Sequence, residues 1–361
     1  MKIGILTFHC AHNYGAVLQA YALQEAVKEL GYDVEIINYR PAYLIDIYKP
    51  FSVKRIFSGS IKLILKKFLR SILMYPKNLK RWKVFNSFIN KNLNISTKSL
   101  ETIFDMYDVY IIGSDQIWNN KITKGFDEIY WGLFNTKKSS KKITYAASFG
   151  NIENLQEETP FLEKALMKFD AISLREYDYL EFIQSIRREK VYKVLDPTLI
   201  LDDDIWNKVA TKPNISDKYV FVYQVISSSE TNRIASDIAE QIKGVVIEIP
   251  ASIPFKIFGD KYDAVSPFDF LGWIKYATCV VTSSFHGTAF SIIYNKDFYT
   301  INLDDGSEKR PKDLLNNINL SDRLISKGSY VNFEKADYTH SDLKLKKLKK
   351  ESIDYLKNNL I

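Results

Sequence analysis

Cys279-Val-Val-Thr282-Ser-Ser-Phe285-His286-Gly287-Thr288-Ala-Phe-Ser-Ile-Ile-Tyr294 is the stretch on which the reading of the fold turns. Residues 280–282 are a short β-branched run of the kind buried in a parallel sheet, and residues 289–294 have the composition of the helix that follows such a strand. The chain must turn sharply between them. Ser283, Ser284, His286, Gly287 and Thr288 supply the small and polar side chains such a turn uses. One imidazole is thereby placed at the carboxyl end of a strand beside a helix N-terminus. Open α/β sheets hold ligands there, because unpaired amides and the helix dipole favour an anion. Histidine in that position can hold and deliver a proton near neutral pH. A hydrogen-bonded structural histidine is the alternative reading.

The same strand and helix alternation recurs on both sides of this stretch. Residues 218–224, 245–249 and 298–303 read as strands, with helices at 232–243 and 267–276. A polar loop at 304–311 holds Lys309 and Arg310 before a helix expected at 313–318. Toward the N-terminus, residues 2–7 form a strand that leads through a loop containing His12 and Asn13 into a helix at 17–30, stopped by Gly31. The next strand is 33–39. Residues 107–113 exit through Ser114, Asp115 and Gln116, a polar run that packing does not call for but ligand hydroxyls do. Residues 142–147 exit through Ser148, and 169–174 through Arg175-Glu176. Arg175 offers a bidentate fork for carboxylate or phosphate, with an ion pair to Glu176 or Asp178 as the plain alternative. A linker is expected over 199–217. The pattern describes an α/β protein of two doubly wound Rossmann-like domains facing across a cleft: 1–200, 218–340, and a closing basic helix at 341–361.

Composition narrows the class. A chain of 361 residues with 46% hydrophobic and 26% charged residues can bury two cores, and it holds no run of roughly 20 apolar residues. The first residues read as a strand rather than an export signal. Two cysteines, Cys10 and Cys279, fit a reducing compartment, and the four histidines lack metal-ligand spacing. The expectation is a cytoplasmic protein without a metal. Charge is uneven: residues 43–91 hold twelve Lys or Arg, including Lys54 and Arg55, against Asp46 alone, a local net charge of +11 in a chain of +7. Within that segment Ile61, Ile64, Leu65, Phe68, Leu69 and Ile72 recur at helical spacing, with Lys62, Lys66, Lys67 and Arg70 on other faces. Aromatic residues, Phe57 and Trp82 among them, are interleaved. Such a helix suits an anionic bilayer surface. A nucleic-acid surface and a simple solvated face are the other uses of that charge.

His12-Asn-Tyr-Gly-Ala-Val-Leu-Gln19, Gly113-Ser-Asp-Gln-Ile-Trp118, Ser173-Leu-Arg-Glu176, Asp196-Pro-Thr198 and Thr282-Ser-Ser-Phe-His-Gly287 together resemble, in order and spacing, the polysaccharide pyruvyl transferase family. The resemblance implies a fold similar to two-domain (GT-B-like) glycosyltransferases. It also implies transfer of an enolpyruvyl-derived group from phosphoenolpyruvate to a sugar of a surface polysaccharide, usually as a ketal across two hydroxyls. By the same resemblance Arg175 binds the donor and His286 is catalytic. Many members have an arginine two residues before the histidine, where this chain has Ser284. Arg310, or Lys309 beside it, is the expected replacement, with Ser284 and the amides around Gly287 completing the donor side. Asp115 is expected to accept from the acceptor sugar or serve as its base, with His12, Asn13, Ser114, Gln116 and Ser148 around it. Family acceptors are often lipid-linked, so the expected partner is an undecaprenyl-diphosphate-linked oligosaccharide at the inner face of the membrane, with segment 43–91 holding the enzyme peripherally there. No cofactor beyond the donor substrate and no nucleic acid is expected. The alternatives are a nucleotide-sugar glycosyltransferase of the same two-domain type and a non-catalytic glycan-binding scaffold.

Overall fold

The computed structural model describes residues 1–52, 60–152, 154–251, 260–261 and 264–361. Lys54, Arg55 and Phe57 of the basic segment lie outside the described residues, as do the side chains of Ile61 and Lys62.

Strands β1 (Lys2–Leu6), β2 (Asp33–Ile36), β3 (Val109–Gly113) and β4 (Lys141–Tyr145) form a parallel sheet in the order β2-β1-β3-β4. The parallel pair β5 (Ile172–Leu174) and β6 (Val191–Lys193) continues it beyond β4, through the amides of Thr144 and Ala147 bonded to Ala171 and Ser173 carbonyls. The second sheet contains β7 (Tyr219–Tyr223), β8 (Val245–Glu248), β9 (Asp260–Lys261), β10 (Cys279–Thr282), β11 (Phe298–Ile301) and β12 (Leu324–Ile325) in the order β12-β11-β10-β7-β8-β9, again parallel throughout. The central strands are continuous apolar runs, and β3, β7, β10 and β11 are buried along their whole length. That is the pattern of a sheet covered on both faces. The two doubly wound domains are therefore present as expected.

Several boundaries differ, each for a local reason. The first helix begins at Tyr14, because Asn13 caps it by accepting from the Ala16 amide, and it ends where Gly31 adopts φ 87°. The histidine helix is Phe285–Ile293, which puts His286 and Gly287 in its first turn rather than in the bend before it. The helix expected at 313–318 is Lys309–Asn317, so Lys309 and Arg310 also lie on a first helical turn. Pro311 is tolerated there because amides of the first turn have no intrahelical acceptor. Residues 199–217 are not an irregular linker. Helices Pro197–Ile200 and Asp203–Val209 occupy much of it, and fully buried Trp206 donates to the Thr198 carbonyl and meets Phe290 edge-on.

The halves share a hydrophobic core. Tyr14 stacks on Phe270 at 4.4 Å and donates to the Val265 carbonyl, a ring pair worth roughly 0.5–1.5 kcal/mol beyond the area it buries. The closing helix, Ser341–Leu360, returns to the N-terminal sheet, where Tyr355 donates to the Thr144 carbonyl and Ser352 accepts from the Leu195 amide. Helix Ile61–Asn92 spans 32 residues. Phe85, Phe88 and Ile89 bury its second half, whereas Leu65, Leu69, Ile72 and Leu73 of its first half are exposed. No helix among the described residues is long and apolar enough to cross a membrane.

Candidate active site

Strand ends from both sheets converge on a cleft of about 190 Å³ lined by Asn13, Asp115, Gln116, Ser284, His286 and Arg310, with Phe8, Tyr48, Phe285 and Ser307 among the remaining walls. Six residues singled out in the sequence thus meet at one place. Asn13 is already engaged as a helix cap, and Gln116 accepts from the Asn119 amide group. Asp115 sits at φ 64°, a left-handed conformation that aspartate tolerates better than most residues. Ser284 occupies the N-cap position of the histidine helix but makes no capping bond through its side chain.

His286 is positioned from two sides. Its Nε2 lies 3.7 Å from Oδ2 of Asp196. On the other side its ring lies against Gly15 so closely that a β-carbon there would stand 2.0 Å from Nδ1. Only glycine at residue 15 admits the imidazole. Gly287 has a similar reason: a β-carbon would come 2.2 Å from Oγ1 of Thr282.

Beneath the cleft is a buried charge network. Arg175 donates through Nε to Glu176 at 3.1 Å and through Nη1 to Asp196 at 2.8 Å, and its guanidinium lies 4.9 Å from the Phe285 ring centre. Asp196 caps the short helix after β6, taking the Thr198 amide and hydroxyl on Oδ1. Burial opposes ionisation of Asp196, but His286, then Arg175 and the Thr198 amide, outweigh it and hold the carboxyl well below the usual range. Burial likewise opposes the Arg175 charge, and Glu176 and Asp196 more than offset it. Three buried polar atoms of this cluster, Nη2 of Arg175, Oε2 of Glu176 and Nε2 of His286, have no hydrogen-bond partner among the described residues. Unpaired buried polar atoms cost roughly 1–3 kcal/mol each, and they concentrate where function requires them.

Arg310 is the contrasting cation. It is half-buried, lines the cleft, and has no ion pair or hydrogen bond among the described residues. Burial, and next the charge of Arg175, lower its proton affinity below the ordinary value. An anion in the cleft relieves that repulsion.

The other sequence candidates stand apart from the cleft walls. Arg175 lies in the layer below. Ser114 and Ser148 are fully buried, with Oγ of Ser148 donating to Glu176 and Oγ of Ser114 3.5 Å from Asp196. Lys309 is exposed on its helix. His12 opens into a neighbouring recess. Asp196 and Gly15 were not singled out individually from the sequence. The one available signal was the Asp-Pro-Thr turn at a strand exit, which marks a cap but not what the second carboxylate oxygen faces. Among the described residues no group of three or more His, Cys, Asp or Glu side chains converges as a metal site.

Solved structures similar to this chain include UDP-N-acetylglucosamine 2-epimerase from Rickettsia bellii, 10% identical over 99% of this chain and 98% of that one, with a TM-score of 0.44. A putative UDP-N-acetylglucosamine 2-epimerase from Listeria monocytogenes is 11% identical over 99% and 90%, TM-score 0.47. The glycosyltransferase SsfS6 of Streptomyces sp. SF2575 is 10% identical over 98% and 96%, TM-score 0.41. No functionally curated protein matches the chain. The sequence profile described as polysaccharide pyruvyl transferase matches residues 13–305, from the cap of the first helix to the loop after β11. The chain belongs to the polysaccharide pyruvyl transferase family.

Proposed function

We propose that the chain transfers the pyruvyl group of phosphoenolpyruvate to two hydroxyls of one sugar in a lipid-linked polysaccharide precursor, forming a cyclic ketal and releasing phosphate. The observation that supports this reading is the meeting of His286 and the unpaired guanidinium of Arg310 in one cleft, each on the first turn of a helix. The donor carries a phosphate and a carboxylate, and a free guanidinium beside helix N-termini is suited to both. Arg310 takes the role of the arginine that Ser284 replaces, and the free Nη2 of Arg175 backs it from below.

In the reaction, protonated His286 delivers a proton to the methylene carbon of the enol, making it a methyl group, while the first sugar hydroxyl adds to the central carbon. Asp115 takes that hydroxyl's proton and passes it to the departing phosphate. Loss of phosphate leaves an oxocarbenium centre, to which the second hydroxyl adds, returning its proton to His286. Asp196, 3.7 Å from Nε2, orients the imidazole. A positioned acid/base of this kind contributes on the order of 10²–10⁴-fold.

The lipid-linked acceptor is supported by helix Ile61–Asn92, whose first half exposes Leu65, Leu69, Ile72 and Leu73 beside exposed Lys66 and Arg70. Apolar and basic residues on one exposed helix suit an anionic bilayer surface. The test of transfer is incubation with phosphoenolpyruvate and hexose acceptors whose hydroxyls close a six-membered ring. Phosphate release coupled to an acid-labile pyruvyl adduct is expected. Transfer from a nucleotide sugar in its place would overturn the reading in favour of a glycosyltransferase.

A further inference from the structure

A second recess, of about 350 Å³, adjoins the catalytic cleft, and Tyr48 lines both. Its volume lies within the roughly 300–1,000 Å³ of small-molecule sites. Tyr75 and Trp82 stand two turns apart on one face of helix Ile61–Asn92 and remain 42% and 39% exposed. The inner wall is His12, stacked on Phe85 at 5.3 Å and 14° and lying 5.5 Å from Tyr48. Arg81 fixes that wall: its buried guanidinium donates to the carbonyls of His12, Pro250 and Ala251. Burial, and then the charges of Arg81 and Arg40, lower His12 to about 4, so it is neutral near pH 7. Lys49 at the rim is paired with Asp46 at 2.6 Å. Arg40 is different. It lines the recess, is exposed, and has no ion pair or hydrogen bond among the described residues.

We infer that this recess is a subsite for a glycan bearing a phosphate ester, with a sugar ring on the faces of Tyr75 and Trp82 and the phosphate on Arg40. Sugar rings present a face of polarised C–H groups, which suits the negative face of an aromatic ring, while their hydroxyls stay at the wet rim. A guanidinium binds phosphate through two parallel hydrogen bonds. Because Tyr48 is common to both spaces, a glycan seated here extends past that ring toward Asp115 and His286. The inference deepens the function proposed above and rests on it for the identity of the ligand as an acceptor.

Trp82 makes the test direct, because it is the one tryptophan with substantial exposure: Trp118, Trp131 and Trp206 are fully buried and Trp273 is 5% exposed. Acrylamide quenching therefore reads Trp82. The probes are glucosyl, galactosyl and N-acetylglucosaminyl phosphate, each beside its free sugar, with inorganic phosphate and phosphatidylglycerol vesicles as separate arms. Glycosyl phosphates are expected to protect Trp82. Arg40→Gln is expected to raise the half-protecting concentration roughly tenfold, the scale of a lost charged hydrogen bond, and to leave stabilisation by phosphoenolpyruvate unchanged. Trp82→Phe, which keeps a ring face, checks that the quenched signal is the one assigned. The inference is overturned if no glycosyl phosphate protects, if inorganic phosphate protects equally, or if vesicles alone protect, which would make this a bilayer face. Stabilisation by phosphoenolpyruvate without protection of Trp82 defeats this inference only. Absence of both defeats the pyruvyl-transfer reading as well.

Discussion

The charge cluster under the cleft and the exposed half of helix Ile61–Asn92 use the same residue types in opposite ways. In the cluster, Arg175, Glu176 and Asp196 have side chains at most 6% exposed, and each charge has a partner at a defined distance. On the helix, Lys66 and Arg70 face solvent among exposed leucines. Buried charges are tolerated only with partners in place, and removing one partner is expensive. Solvated charges act as a field whose members are nearly interchangeable. In the function proposed above, the first arrangement sets the geometry of the reaction and the second holds the molecule at an anionic bilayer.

Substitutions in the two regions should differ sharply in effect. The largest effect is expected at His286→Ala, which should lower kcat on the order of 10²–10⁴-fold while phosphoenolpyruvate still binds. Gly15→Ala should approach the same loss without touching a reacting group, because its methyl occupies the place of the imidazole. A chemical denaturation curve would show whether that variant keeps its fold. Next is Asp196→Ala, which leaves Arg175 with one carboxylate instead of two and should destabilise the protein by roughly 3–5 kcal/mol.

Acid should reveal a further buried group. His9 is fully buried, and burial lowers it from 6.5 to about 4. A histidine held neutral in the fold contributes stability above the unfolded value of 6.5, lost as pH falls toward 4, on the order of 3 kcal/mol. Denaturation midpoints measured between those pH values should fall in the wild type and fall less steeply in His9→Gln, where His12, also lowered to about 4, still contributes. The smallest effect on the fold is expected on the exposed helix. Lys66→Gln with Arg70→Gln should leave stability within about 0.5 kcal/mol and weaken binding to anionic vesicles by about 1 kcal/mol per charge. Unchanged vesicle binding would remove the bilayer role from this helix.

The same contrast explains what could be read in advance. The apolar run within 107–113 and the β-branched run at 280–282 announce buried parallel strands, and the polar residues following them announce strand exits, so Asp115, Gln116, Ser284 and His286 were visible from local chemistry. Charge density made the helix beginning at Ile61 equally visible. What was not legible depends on approach between distant segments. Asp196 carries an ordinary capping pattern, and only the meeting of β6 with the histidine helix turns its carboxylate toward Nε2. Gly15 reads as an ordinary loop glycine before the helix expected at 17–30, until the ring of His286 is laid against it. A linker was expected over 199–217, yet Asp202 caps a helix there that buries Trp206. The polar loop expected at 304–311 is helical from Lys309, and that first turn presents Arg310.

Binding of phosphoenolpyruvate through Arg310 beside His286 can be read from thermal stabilisation. A ligand that binds only the folded state at a hundred times its Kd stabilises by about 2.7 kcal/mol. The account predicts a raised Tm for the wild type and for His286→Ala in phosphoenolpyruvate, and little or none for Arg310→Ala. A wild type that phosphoenolpyruvate does not stabilise, or an Arg310→Ala protein stabilised equally well, would contradict it.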